Sequence, residues 1–133
     1  MSGPTSPPST PAALAGSGAP SALTDGEFQR LADAVLSTIE ATLDRWLQDD
    51  EIDIDSQRTG GLLELIFPSG SRIVVNTQPP LHELWLAART GGYHFRWAND
   101  RWIDSRSGGE LFAMLSREIS AQAGRPLTIA RAT

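Results

Sequence analysis

The spacing of apolar residues changes twice along this chain, and that double change restricts the folds open to it. Phe28, Leu31, Val35, Ile39, Leu43 and Trp46 recur at three- and four-residue intervals, which lays one apolar stripe along a helix. Asp33, Ser37, Glu40 and Asp44 fall on the opposite face. Thr24 followed by Glu27 forms a capping box, and Leu23 before the cap can staple onto Phe28, so the helix is predicted to start at Thr24. After residue 48 the interval becomes two, as in strands. At Glu110–Ala123 it becomes helical again, with Leu111, Phe112, Leu115 and Ile119 on one side and Gly124 and Pro126 as the stop.

Between the helices, short strands are expected over residues 49–55, Leu62–Phe67, Ser71–Asn76, Glu83–Ala87, Gly92–Trp97 and Arg101–Asp104, with Gly60-Gly61 and Pro68-Ser69-Gly70 as turns. Ser56–Thr59 reads as a linker. Leu127–Ile129 adds a terminal extended piece. Short connections favour an antiparallel sheet of five to six strands. Two amphipathic helices need a common surface, so both are expected on one face of it, an α+β two-layer sandwich whose other face meets water.

Residues 1–22 are rich in Pro, Ser, Ala and Gly, carry no charge and show no periodicity, so a disordered tail is expected before a single domain at 23–130. They have neither the arginines of a transit peptide nor the apolar core of a signal peptide. No apolar run approaches a membrane span. The chain has no Cys, which excludes disulfides, thiolate metal sites and cysteine catalysis.

Charge is unevenly placed. Residues 23–56 hold ten acids and two arginines, net −8; residues 57–133 hold six acids and nine arginines, net +3. The acidic end should attract cations or a basic protein surface and repel nucleic acid. Its densest stretch is DDEIDID, residues 49–55. Read as a strand, it turns Ile52 and Ile54 inward and Glu51, Asp53 and Asp55 outward, with neighbours on that face about 6.6 Å apart. That is too wide for neighbours alone to chelate one ion. It suits weak sites completed by water or by the adjacent helix, where Glu40 and Asp44 lie. As like charges at i, i+4 these two cost the helix roughly 0.2–0.5 kcal/mol. Asp44, Asp49 and Asp50 crowd the helix C-terminus, where the dipole disfavours anions. These penalties point to a use for the charge, although a merely solvated acidic face is the alternative. All-oxygen ligands select hard ions: iron, manganese, magnesium or calcium. A calcium EF-hand loop starting at Glu51 fails, with Ser56 for Gly and Leu62 for Glu.

A second stretch is NTQPPLHELW, residues 76–85. If Leu84 and Leu86 face the helices, Trp85 faces solvent beside Asn76 and Gln78, a composition suited to protein contact. The opposite phase would bury Trp85. His82 and His94 lack ligand spacing and read as a loop hydrogen bond and a polar strand position. No nucleophile or general base stands in a recognisable setting, which argues against an enzyme.

The helix EFQRLADAVLSTIEATLDRW, the run DDEIDID, NTQPPLHELWLA, GGYHF and WIDSRSG together resemble bacterial frataxins over about residues 24–125. The resemblance implies two helices on one face of an antiparallel sheet and a cytoplasmic, non-enzymatic role in iron–sulfur cluster assembly. It implies weak, exchangeable binding of iron (Fe2+ or Fe3+) on an acidic ridge, here Glu40, Asp44, Asp49, Asp50, Glu51, Asp53 and Asp55, with Asp25 and Asp33 as outliers. It implies contact with the cysteine desulfurase and the scaffold protein, the sheet contacts being Asn76, Gln78 and Trp85, and a monomer in the absence of metal. This chain has Ala41 and Arg45 where the family often adds acids, and Arg45 is placed to pair with Asp49. The rival reading is an interaction module that modulates the desulfurase independently of iron. A ferroxidase ranks last, because nothing builds a closed site.

Overall fold

In the computed structural model of the chain, which describes residues 23–131, the first helix starts where the capping box predicts. Helix α1 spans Asp25–Gln48. Thr24 Oγ1 accepts from the Glu27 backbone N–H at 3.1 Å, and Glu27 Oε1 accepts from the Thr24 N–H at 2.8 Å. The bond from the Thr24 backbone N–H, and then the Thr24 side chain, hold the Glu27 carboxyl below the usual carboxylate range. Leu23 is half-buried against the core, and Phe28, Val35, Ile39, Leu43 and Trp46 are buried as the spacing predicts. The expected tail, residues 1–22, lies outside the described residues.

Six strands follow: β1 (Asp55–Thr59), β2 (Leu62–Ile66), β3 (Arg72–Gln78), β4 (Glu83–Ala88), β5 (Gly91–Ala98) and β6 (Arg101–Asp104). They form an antiparallel meander in chain order. Helix α2 spans Leu111–Ala123; Glu110 caps it by accepting from the Phe112 and Ala113 N–H groups, and Gly124, at φ +75°, ends it. Both helices pack against the sheet. The core is one layer in which Phe28, Leu36 and Ile39 of α1 and Leu111, Leu115 and Ile119 of α2 meet Leu63, Leu65, Ile73, Val75, Leu84, Leu86 and Phe95. Each such side chain stabilises the fold by roughly 1.5–3 kcal/mol. Among the described residues no helix is long and apolar enough to cross a membrane.

Two local expectations are corrected. The expected strand over residues 49–55 is a turn at the helix end followed by a non-strand connection, and only Asp55 joins the sheet. The expected linker Ser56–Thr59 is strand β1, paired with β2 from Asp55↔Ile66 to Thr59↔Leu62 across Gly60-Gly61. DSQRT has weak strand propensity and an exposed edge, so hairpin pairing rather than apolar alternation makes it a strand. Gly61 is also a close approach: a Cβ there would lie 1.9 Å from Thr77 Oγ1.

The extended piece after α2 is held without joining the sheet. Ser116 Oγ donates to the Ile129 carbonyl and accepts from its N–H; Ser120 Oγ does the same for Leu127. The two serines sit one helical turn apart, matching alternate residues of the extended segment.

Candidate functional site

The end of α1 places the acids. Asp49 caps the helix, Asp50 adopts φ +55°, and the Glu51 N–H donates to the Trp46 carbonyl at 2.8 Å, folding the chain back on the last turn. From there Ile54 is buried and Ile52 half-buried, while Glu51, Asp53 and Asp55 are exposed. The predicted alternation therefore holds in burial although the segment lacks strand pairing.

The seven predicted ridge residues divide into two groups. Arg58 of β1 points to the helix side and clamps α1, with Glu40 Oε1 at 2.8 Å, Asp33 Oδ1 at 3.3 Å and Ser37 Oγ at 3.3 Å. Arg125, just past α2, bonds the Glu51 carboxylate at 2.6 Å and also its carbonyl. Asp44, Asp49, Asp50, Asp53 and Asp55 enter no ion pair among the described residues. The expected Arg45–Asp49 pair does not form; these two are linked only by a backbone hydrogen bond at the helix end. Among the described residues no three acidic or histidine side chains converge on one point as a closed ligand set. What remains is an open group of oxygen donors, with room for water on any hard cation they hold.

The outer sheet face carries the second set. Asn76 stands opposite Trp85, and Trp85 opposite His94, so the three form one cross-strand row. Leu84 and Leu86 are buried and Trp85 is half-buried on the outer face, as the solvent-facing phase requires. The indole stacks on the His94 ring at 4.3 Å and 10°. Gln78 stands opposite Glu83 on the same face. A shallow hollow of about 210 Å³ beside Trp85 takes in Asn76, Leu62 and His94.

Glu83 and Arg96 have no role assigned from the sequence, and His94, the expected polar strand position, gains an unexpected one by stacking on Trp85. Glu83 is 6% exposed although it lies on the outer face. Trp85 Nε1 donates to it at 2.8 Å and Arg96 Nε at 2.7 Å. Burial pushes its carboxyl up; the indole bond, then the Arg96 bond and charge, outweigh burial and leave it below the usual range. The missed signal is register. A two-residue turn at Arg89-Thr90 sets Glu83 against Arg96 and Trp85 against His94. His82 fills its expected loop role, bonding Asp25 at 2.7 Å while stacking on Phe28 at 5.0 Å.

Known proteins resemble this chain in sequence and fold. The profile of the frataxin-like domain matches residues 21–125. The iron–sulfur cluster assembly protein CyaY of Verminephrobacter eiseniae is 49% identical over 108 residues, which is 81% of this chain and 99% of that protein. CyaY of Variovorax paradoxus is 48% identical over 110 residues, covering 83% of this chain and all of the relative. Among solved structures, the frataxin of Psychromonas ingrahamii superposes with a TM-score of 0.70 at 34% identity, covering 81% of this chain and 99% of that one. A trimeric yeast frataxin complexed with ferrous iron superposes with a TM-score of 0.61 at 26% identity, covering 78% of this chain and 89% of that one. With about half the residues of the matched span identical to relatives covered almost end to end, and the same helix-flanked sheet, the chain belongs to the frataxin-like family.

Proposed function

We propose that the protein serves iron–sulfur cluster assembly as a non-enzymatic regulator or iron donor. In this reading it binds Fe2+ or Fe3+ weakly at the acidic junction and docks on the cysteine desulfurase and its scaffold through that junction and the outer sheet face. The observation that carries it is the set of five carboxylates, Asp44, Asp49, Asp50, Asp53 and Asp55, left without a cationic partner among the described residues while Arg58 and Arg125 take up Glu40, Asp33 and Glu51. Unpaired like charges on a short stretch repel, and a hydrated ion or a basic surface offsets the repulsion. Exposed oxygen donors without histidine or thiolate suit labile binding of a hard cation, which is what cargo requires. The relatives' names and the ferrous-loaded neighbour support iron–sulfur assembly as the setting. Asn76, Gln78 and Trp85 add a flat contact with an aromatic anchor.

The test is the quadruple change Asp44→Asn, Asp49→Asn, Asp50→Asn and Asp53→Asn, measured by ferrous titration and by binding to the desulfurase. Both should fall. Glu40→Gln and Glu51→Gln, whose partners are internal, should change iron binding much less. Persistence of both activities in the quadruple variant would defeat the assignment. A second reading, docking without iron, is favoured by the open ligand geometry. An effect on the desulfurase that is unchanged by a chelator, and that weakens steeply with salt, selects it.

A further inference from the structure

A cleft with the opposite charge character opens at the β6 edge, across the sheet from the acidic β1 edge. It encloses about 140 Å³ between α1, the β5–β6 hairpin and the segment after α2. Its inner wall is Val35, Trp97, Trp102 and Phe112, with the two indoles edge-to-face at 5.4 Å. Its mouth is cationic. The turn Asn99-Asp100, with both φ positive at 54° and 60°, reverses the chain tightly and sets Arg101 at the rim. Arg131 lies beside it and donates to the Asp100 carbonyl at 2.6 Å, a bond that orients the guanidinium without neutralising it. Arg101 enters no ion pair among the described residues. Among the described residues that line the cleft the one carboxylate, Glu110, is already bound by the first N–H groups of α2, Phe112 at 2.8 Å and Ala113 at 3.1 Å.

We propose that this cleft binds a small carboxylate with an aromatic body. A cavity near 150 Å³ accommodates about one benzene ring, so the chamber suits a single ring. The aromatic walls favour a flat apolar body. The two guanidiniums match a carboxylate, and each can bond it in bidentate fashion. A cationic ligand of the same shape would face the two guanidiniums at the mouth, with Glu110 already engaged, and retain only the weaker attraction of the indole faces.

The test titrates the full-length chain with phenylacetate and with phenethylamine, which has a similar ring and the opposite charge. The readout is the indole N–H resonances of Trp97 and Trp102, with Trp85 as the distant control. Phenylacetate should shift both resonances saturably, and phenethylamine should bind at least about tenfold more weakly. Arg101→Gln should weaken phenylacetate about tenfold. Ala34→Phe, which fills the cleft from an exposed helix position, should abolish binding with the remaining spectrum unchanged. The proposal is overturned by the absence of saturable shifts, by equal binding of the amine, or by binding that survives Ala34→Phe. It is also overturned if dilution alone moves the two indoles, which assigns the cleft to a second copy.

Discussion

At the scale of single residues, buried polar pairing marks where the sheet face is most sensitive. The Glu83 carboxylate is almost fully buried and holds both the Trp85 indole and Arg96. Glu83→Ala strands both donors and should cost about 1–3 kcal/mol, read by chemical denaturation. Its folded pKa is depressed below the ordinary value of 4.5. Its contribution is therefore present above that value and lost as pH falls through the lower folded one. Glu83→Gln should accordingly flatten the acid limb of the stability–pH curve; an unchanged limb assigns acid sensitivity elsewhere. Gly61 is constrained by space rather than by charge, because a Cβ would strike Thr77 Oγ1. Gly61→Ala should cost about 1–3 kcal/mol, and Thr77→Ala in the same chain should restore part of it, a coupling that a double-mutant cycle measures.

At the scale of elements, caps and straps decide which pieces stay in place. Thr24→Ala removes half of a reciprocal capping box and should destabilise the protein by about 1 kcal/mol. The segment after α2 depends on Ser116 and Ser120, whose hydroxyls each take up one residue's N–H and C=O. Changing both serines to Ala should release it, seen as faster amide exchange at Leu127 and Ile129 with the β-sheet amides still protected. Helix spans were legible because capping and a three-to-four interval are local signals. Strand β1 was not, since DSQRT has no apolar face and gains its identity from pairing with β2.

At the scale of the whole molecule, charge is sorted across the sheet. The end of α1 and the lead into β1 hold the unpaired acids, and arginines Arg101 and Arg131 stand at the β6 side. Crowded like charges weaken the folded state. The quadruple Asp→Asn variant should therefore melt higher than the native chain at low salt, with the gap closing as salt rises, even as its ligand binding falls. A lower melting temperature would mean that the acids stabilise the fold through contacts, and the case for an external cation would lose its basis.

The sequence by itself determined the two helices, the alternating strands from Leu62 onward and the existence of an acidic junction. Each of these depends on residues close together along the chain, through caps, intervals and turns. The phase of Trp85, open in the sequence, was decided by the burial of Leu84 and Leu86. Only the tertiary structure decided which acids are free. Arg58 reaches Glu40 across 18 residues of sequence, and Arg125 reaches Glu51 across 74. Spacing made Arg45 the natural partner for Asp49, yet that pair does not form. Ion pairs form between whichever side chains packing brings within a few ångströms, and that is a property of the assembled layers rather than of any local interval.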